Sequence, residues 1–199
     1  MKKSIPWRFV ALISSLVLLA STGAIAGPVD ETIPESWFKN GESPAKDQCL
    51  AGIDSELEDT GSPNLTLKCT ESVGGFVGIM QSFDADNYLG KRLRFSALVK
   101  SEGIENGWGG LWMRIDDHGR RSSAFDNMQN RPIKGTTDWA RYSVVLDVSD
   151  EASGIFFGTL MIGKGQLWIK DLKLEPVGRE TPTTGLQKRF EPRNLELAR

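Results

Sequence analysis

Short runs of alternating apolar residues constrain the fold of this chain more than any other feature of its sequence. In the run 92–100, Leu93, Phe95, Ala97 and Val99 fall on one face of an extended chain. A period of two residues is that of a strand with one buried face. The other runs of strand character are 49–53, 64–69, 76–83, 109–116, 141–147, 154–162 and 166–174. We predict a β-strand in each of them.

Turn residues separate these runs, and no long helical period flanked by caps interrupts them. Asp117-His118-Gly119 and Gly163-Lys164-Gly165 stand between strand-like runs and predict tight turns. About eight to ten short strands at this spacing predict an all-β domain, a jelly-roll-type β-sandwich of two antiparallel sheets. Two sheets are needed because a single sheet would leave its apolar face in water. We place this domain at residues 36–177.

The first 26 residues have the order of a secretory signal peptide. A basic start is followed by the apolar run 9–20 and by Ala24-Ile25-Ala26, the small-x-small pattern that signal peptidase reads. The alternative is an uncleaved membrane anchor, but serines dilute the apolar run and no stop-transfer charge cluster follows it. We predict cleavage after Ala26, a periplasmic or secreted protein, and no membrane span after cleavage.

The C-terminal residues 178–199 lack any apolar alternation. They are rich in Pro, Thr, Arg and Glu, a composition typical of a solvated segment. We predict a flexible tail there.

The charge balance excludes several classes of partner. The chain has 24 Lys and Arg against 26 Asp and Glu, a formal net charge of −2. Three of the cations, Lys2, Lys3 and Arg8, lie in the predicted signal peptide, so the mature chain would carry −5. Acidic charge without a basic run argues against nucleic acid and against anionic membrane surfaces as partners.

Both cysteines, Cys49 and Cys69, lie in the mature part of the chain. An even number of cysteines in an exported protein favours a disulfide, which we predict between these two. The alternative is a pair of buried free thiols. A zinc site is poorly supported, because two cysteines and the lone His118 do not make a set of zinc ligands.

Catalytic signatures are missing from the sequence. The one histidine, His118, stands in a predicted turn, and neither a Gly-x-Ser-x-Gly elbow nor a Gly-rich phosphate loop occurs. Glycoside hydrolysis needs two carboxylates at a defined separation, and the sequence offers only the loose possibility of Asp116 with Asp126. The sequence therefore favours a protein that is not an enzyme.

Residues suited to binding lie around the predicted turn at 117–119. Trp112 and Arg114 share one face of a strand, and the next connection contains Asp126 and Asn127. We predict that these four side chains converge on one face of the sandwich, as a ligand site or as a buried structural network in which Arg114 pairs with Asp126.

Two further residues are assigned to the same site. Gln81 stands among apolar residues and needs a hydrogen-bond partner if it is buried, so we place it near this group. Trp108 lies between glycines and is the second candidate for stacking on a ligand, whereas Trp139 and Trp168 are assigned to packing.

Several stretches of the chain resemble a known type of domain. Residues 36–177 resemble a carbohydrate-binding-module-like β-sandwich of the galactose-binding-like type found in bacterial extracytoplasmic proteins. The stretches that carry this resemblance are 78–83, 88–92, 110–116, 125–128, 131–139 and 165–171. The resemblance implies an accessory module that stands beside regulators or hydrolases. It also implies that a structural calcium ion could be held by Asp54, Glu56 and Asp171, although no other cofactor is expected.

Three functional hypotheses follow, and they predict different surfaces. The first is a non-catalytic extracytoplasmic binding module for a carbohydrate or a similar polar ligand, which exposure of Trp112 or Trp108 in a groove would favour. The second is a protein-interaction, assembly or sensor domain at the cell envelope, which a flat apolar patch with both tryptophans buried would favour. The third is a hydrolase, which requires a deep cleft with facing carboxylates.

Overall fold

Strands account for nearly all the secondary structure of the computed structural model, which describes residues 29–54, 64–119 and 121–185. The predicted signal peptide at residues 1–26 lies outside the described residues, as does Glu56. The elements are β1 Phe38–Gly41, helix α1 Ala45–Gln48, β2 Leu50–Asp54, β3 Asn64–Asp84, a 3-10 helix Asp86–Tyr88, β4 Arg92–Asp117, β5 Arg121–Asp126, β6 Ile133–Asp147 and β7 Ala152–Val177. All of the strands are within the predicted domain limits. In the described ranges, no helix is long and apolar enough to cross a membrane.

Three strands are too long to be straight. Strands β4 and β7 have 26 residues each, which would measure about 85 Å at the rise of an extended chain. Register shifts interrupt their pairing at 102–108 of β4 and 162–165 of β7, and the pairing of β3 shifts at 69–76. Such β-bulges bend a strand. Each long strand therefore contributes one half to each of two layers.

The two layers can be named by their strand halves. Sheet A contains β1, β3 from 76 to 84, β7 from 152 to 162, β4 from 108 to 117, and β5. Sheet B contains β2, β3 from 64 to 69, β7 from 165 to 177, β4 from 92 to 104, and β6. All of these pairings are antiparallel, so the predicted jelly-roll-type sandwich is confirmed.

Aromatic rings join the two sheets through the core. Phe95 of sheet B contacts Phe157 of sheet A with ring centroids 5.0 Å apart in an edge-to-face arrangement. Around them lie the inward-facing residues of the alternating runs, including Leu93, Val99 and Ile79, all fully buried. The core thus consists of the faces that the alternation in the sequence predicted.

The bends replace one of the two predicted turns. The turn at 117–119 is confirmed, since β4 ends at Asp117 and β5 begins at Arg121. The prediction of a turn at 163–165 is wrong, because β7 continues through these residues as a bulge. Gly163 has φ +85° there, and a Cβ would lie 2.3 Å from the carbonyl oxygen of Glu105. Glycine permits this close approach of two strands.

Both edges of sheet B are covered by residues from outside the predicted domain. Asp30 exchanges two backbone hydrogen bonds with Ile53 of β2, and the backbone N–H of Thr184 donates to the carbonyl oxygen of Val145 on β6. Residues 178–185, which we predicted to begin a flexible tail, therefore contact sheet B at Arg179, Thr181 and Thr184. Residues 186–199 lie outside the described residues.

The predicted disulfide is present. Cys49, directly before β2, is bonded to Cys69 of β3 with a Cα–Cα distance of 4.5 Å. The bond joins the edge strand of sheet B to its neighbour, and it is consistent with an oxidising compartment.

Candidate functional site

The outward face of sheet A has glycines where other strands carry side chains. On β3, β7 and β4, Gly78, Gly158 and Gly110 alternate with Met80, Leu160 and Trp112, so that each large side chain has a glycine beside it on the neighbouring strand. A Cβ on Gly158 would lie 2.1 Å from the carbonyl oxygen of Ile79. The glycines allow large side chains to lie close to the backbone of this face.

An apolar cluster results at one end of this face. Met80, Trp112 and Leu160 are buried, although they point away from the core between the sheets. The side chains packed around them are Phe76, Trp108, Phe156 and Ile162, all partly buried. We call these seven residues the outer apolar cluster.

Two polar atoms on this face have no partner. The indole Nε1 of Trp112 is buried without a hydrogen bond among the described residues, and so is the side-chain oxygen Oδ1 of Asn40 on β1. A buried donor or acceptor left unpaired costs about 1–3 kcal/mol. The sheet therefore holds these two groups at a cost in stability.

A polar groove of about 900 Å³ adjoins the cluster. It lies over the row in which Gly154 of β7 stands between Asp84 of β3 and Asp116 of β4. Its lining residues are Ser82, Phe83, Asp84, Arg114, Asp116, Ser122, Ser153, Gly154 and Phe156. Carboxylates, hydroxyls and a guanidinium thus surround a floor that has no side chain of its own.

Arg114 is fixed at the centre of this groove. Its Nε lies 3.0 Å from Oδ1 of Asp116, and its guanidinium carbon lies 4.6 Å from the ring centre of Phe156. The Phe156 ring in turn covers Gly154, where a Cβ would lie 3.1 Å from a ring carbon. A guanidinium stacked on a ring loses less freedom when it binds a ligand. Its side chain is 40% exposed, so the terminal Nη groups face the groove.

Asp126 is not part of this group, and the prediction of one convergent face is wrong. Strand pairing sets Asp126 opposite Met113, a core residue, whereas Trp112 and Arg114 point to the other side of β4. Oδ2 of Asp126 accepts a hydrogen bond of 2.6 Å from Arg131, which also donates to the carbonyl oxygen of Ser143. The structural network that we considered therefore forms with Arg131 instead of Arg114.

A one-residue bulge explains the error. The pairs Asp117 with Arg121 and Asp116 with Ser122 continue the turn regularly, but Ile115 then pairs with Ala124, which leaves Ser123 unpaired. Without the extra residue, the regular register would set Asp126 opposite Trp112. A shift of one residue moves every following side chain to the opposite face.

Asn127 and Asp126 line a separate, smaller pocket of about 360 Å³ with Phe125, Gln129 and Asn130. Oδ1 of Asn127 accepts a hydrogen bond from the backbone N–H of Gln129, which closes a turn. The structure thus gives Asn127 a structural role in this turn.

The remaining predicted residues divide between the two faces of sheet A. Trp108 belongs to the outer apolar cluster, in the row of Ile162 and Phe76. Gln81 pairs with Phe157 and has the inward direction of Ile79, so it is not brought to the groove. Of the six predicted ligand residues, the structure therefore brings Trp108, Trp112 and Arg114 onto one face. Trp112 is buried there, whereas Trp108 is partly exposed, so of the two predicted stacking residues only Trp108 presents part of its ring to solvent.

The outward face of sheet B has a different character. Oδ2 of Asp54 accepts hydrogen bonds from Nε1 of Trp168 at 2.8 Å and from the Gln166 amide at 3.4 Å. The same amide donates to the hydroxyl of Thr66 at 3.0 Å. Lys170 lies over the ring of Trp139 at 4.1 Å. This face is a packed polar network, and it confirms the assignment of Trp168 to packing.

The calcium candidates do not assemble here. Asp54 accepts the two N–H donors just described, while Asp171 forms an ion pair with Arg141 on another part of the face. Over the described ranges, no three acidic, histidine or cysteine side chains are grouped as metal ligands. Of the three candidates, Asp54 and Asp171 are thus engaged with other partners, and Glu56 lies outside the described residues, so the calcium site stays a prediction.

Sequence reasoning missed Asp84, Phe156 and Gly154 of the groove. Isolated glycines inside strand patterns were the available signal, because glycine in a strand marks close approach of backbone or ligand. Gly154 and Gly158 in one run, with Gly78 and Gly110 in two others, indicate the face that the groove occupies.

Comparisons with known proteins relate the chain to one curated sequence. It is 41% identical over 155 residues to the uncharacterized HTH-type transcriptional regulator YbfP of Bacillus subtilis (strain 168), a match that covers 77% of this chain and 52% of YbfP. The chain thus spans about half the length of this relative. No protein-family model matches the chain.

Solved structures share the fold at low identity. The CBM22-1–GH10 modules of Clostridium thermocellum endo-1,4-beta-D-xylanase 10B match with a TM-score of 0.52 and 13% identity, over 75% of this chain and 28% of that one. The C-terminal family 22 carbohydrate-binding module of the same xylanase matches with a TM-score of 0.50 and 12% identity, over 72% of this chain and 88% of that module. Tailspike protein 4 of bacteriophage CBA120 matches with a TM-score of 0.52 and 14% identity, over 72% of this chain and 20% of that one. The chain has the β-sandwich fold of carbohydrate-binding modules.

Proposed function

We propose that this domain is a non-catalytic binding module that holds a carbohydrate in the groove on the outward face of sheet A. The observation that carries the proposal is the fixed guanidinium of Arg114, held by Asp116 and stacked on Phe156 in an open polar groove. A site that is rigid before its ligand arrives loses less entropy on binding.

The chemistry of the groove suits sugar hydroxyls. A hydroxyl both donates and accepts hydrogen bonds, and the groove offers donors on Arg114 and acceptors on Asp84 and Asp116. The adjoining outer apolar cluster offers aromatic and aliphatic surface to the C–H faces of sugar rings. From Gly154 to Ile162 this face extends about 26 Å along β7, enough for a chain of several sugar units.

The groove does not offer the arrangement that a hydrolase needs. Asp116 is tied to Arg114, and Asp84 is exposed to water. We therefore assign no reaction to this site.

An extracytoplasmic location agrees with this function. The Cys49–Cys69 disulfide suits an oxidising compartment, and the first 26 residues have the order of a signal peptide. Polysaccharides of the cell surface or the surroundings are the ligands that such a location makes available.

The test is a titration of the exported form with a panel of oligosaccharides, in which calorimetry measures the binding. Arg114→Ala should weaken binding of the best ligand at least tenfold, because it removes a charged hydrogen-bond donor worth about 1.5–3 kcal/mol. Arg141→Ala is the matched control, since Arg141 also forms an ion pair but lies on sheet B. Equal affinity of the wild type and the Arg114 variant would contradict the proposal.

A second candidate is a protein-interaction or sensor role at the cell envelope. The outer apolar cluster favours it, because its four partly exposed side chains form an apolar patch on the outward face of a sheet, as contact surfaces do. The relationship to a protein named a transcriptional regulator favours the sensor version. Sedimentation of the exported form over a range of concentrations tests it, since self-association through the cluster would be weakened by Trp108→Asp.

A further inference from the structure

The charges of the groove do not balance. Among the described residues that line it, Arg114 is the one cation, and that charge is compensated by Asp116 at 3.0 Å. Asp84 is exposed at the opposite side of the floor, and no ion pair of the described residues includes it. The described lining residues therefore carry a net charge of about −1 before a ligand binds.

We propose that the carbohydrate held in this groove carries free amino groups, as polymers of glucosamine do. This inference rests on the proposed function and adds the chemical class of its ligand. An ammonium group at the floor compensates the charge of Asp84, whereas an acidic sugar meets the same carboxylate with the wrong sign.

Asp84 is open to such a group. Asp84 and Asp116 lie on either side of Gly154 in one row of the sheet, so their Cα atoms are two strand spacings apart, about 9–10 Å. The ring of Phe156 covers Gly154, and Arg114 lies beside Asp116. An ammonium can therefore approach Asp84, whose side chain is exposed in the groove, without displacing the arginine.

The arginine does not reverse this preference. Its Nε forms a close ion pair with Asp116, although not with the geometry of a hydrogen bond, and its flat face lies on Phe156. The terminal Nη groups are left to donate to neutral hydroxyls. The charge of the whole chain acts in the same direction, because its formal net charge is −2. Such a field attracts cationic polymers and repels acidic ones.

Three oligosaccharides with one backbone provide the test. The β-1,4-linked hexamers of glucosamine, N-acetylglucosamine and glucose differ only in the group at C2, which is an ammonium, an amide or a hydroxyl. The glucosamine hexamer should bind about tenfold more tightly than cellohexaose at low ionic strength, as expected for one added charge pair near the surface. Added salt should narrow this gap.

Charge-neutralising variants locate the effect. Asp84→Asn should reduce the gap between the glucosamine and glucose hexamers to less than about twofold. Asp138→Asn removes the same charge from sheet B, where that side chain is 89% exposed, and should leave the gap unchanged.

The possible results separate the two proposals. Equal binding of the three hexamers, a gap that Asp84→Asn does not reduce, or tighter binding of polygalacturonate overturns the amino-sugar inference and leaves the proposed function intact. Absence of binding to any carbohydrate, amino sugars included, overturns both.

Discussion

The outward faces of the two sheets each contain a buried tryptophan, and the two tryptophans differ in their hydrogen bonds. Trp168 of sheet B is fully buried, and its indole N–H donates to Asp54. Trp112 of sheet A is 6% exposed, and its indole N–H has no partner among the described residues. Both tryptophans are thus buried, but only the indole N–H of Trp168 has a hydrogen-bond acceptor.

The surroundings of the two residues explain the difference. Sheet B carries long polar side chains at its outward positions, and these bind one another, as Gln166 binds Thr66. Sheet A carries glycines at the corresponding positions, which leave a groove and an apolar cluster. The outward face of sheet B is therefore a packed polar network, whereas the outward face of sheet A leaves an open groove, which is where we propose that the ligand binds.

Removing the disulfide should produce the largest loss of stability. The Cys49→Ala, Cys69→Ala double variant loses a crosslink over a sequence separation of 20 residues, so its free energy of unfolding should fall by about 3 kcal/mol. Urea denaturation measures this loss. Because the bond lies in sheet B, carbohydrate affinity should be unchanged; a parallel loss of affinity would break the distinction between the two faces.

Replacing each buried tryptophan by phenylalanine sharpens the comparison. Both changes remove similar volume, but only Trp168→Phe breaks a hydrogen bond to a carboxylate. The free energy of unfolding should therefore fall by about 1.5–3 kcal/mol more for Trp168→Phe than for Trp112→Phe. Equal losses of unfolding free energy in chemical denaturation would mean that the hydrogen bond of the Trp168 indole adds nothing to stability compared with the unpaired indole of Trp112.

A change at the covered edge of sheet B should have the smallest effect on the free energy of unfolding. Hydrogen bonds from Arg92 lower the pKa of Asp147 below its usual value, and Arg92 also donates to the carbonyl oxygens of Arg179 and Thr181. A carboxyl with a lowered pKa in the folded state contributes stability above its unfolded pKa of about 3.9. That stability is lost as the pH falls through the lower folded value.

Asp147→Asn tests this contribution. The side chain of Asp147 is 42% exposed, so the loss at pH 7 should be below about 1 kcal/mol. The difference between wild type and variant should disappear below the folded pKa. The variant should also show faster hydrogen exchange at the Thr184 amide. A stability difference that grows at acid pH would contradict this account.

The sequence predicted the sandwich because the alternation of apolar residues depends on burial alone. Leu93, Phe95 and Val99 lie in the core as their period requires. The disulfide was predictable for a different reason, since the chain has two cysteines on neighbouring strand-like segments behind an export signal, which leaves one pairing.

The site was less predictable because it depends on strand register. The bulge at Ser123 moves Asp126 to the core side of β5, and an ordinary serine gives no sign of it. The prediction that Gly163 and Gly165 form a turn failed for a similar reason, since glycines serve both turns and bulges. Phe156 was missed because it lies between Ile155 and Phe157 in an apolar run, where the sequence does not show which residues face the core.

The central claim is that the carbohydrate lies in the groove of sheet A. Backbone amide chemical-shift mapping of the exported form with its best oligosaccharide tests this most directly. The claim predicts shifts that concentrate at Ser82, Arg114, Gly154 and Phe156, with the amides of Gln166 and Trp168 unchanged. Shifts concentrated on sheet B, or in the small pocket of Phe125 and Asn127, would contradict it.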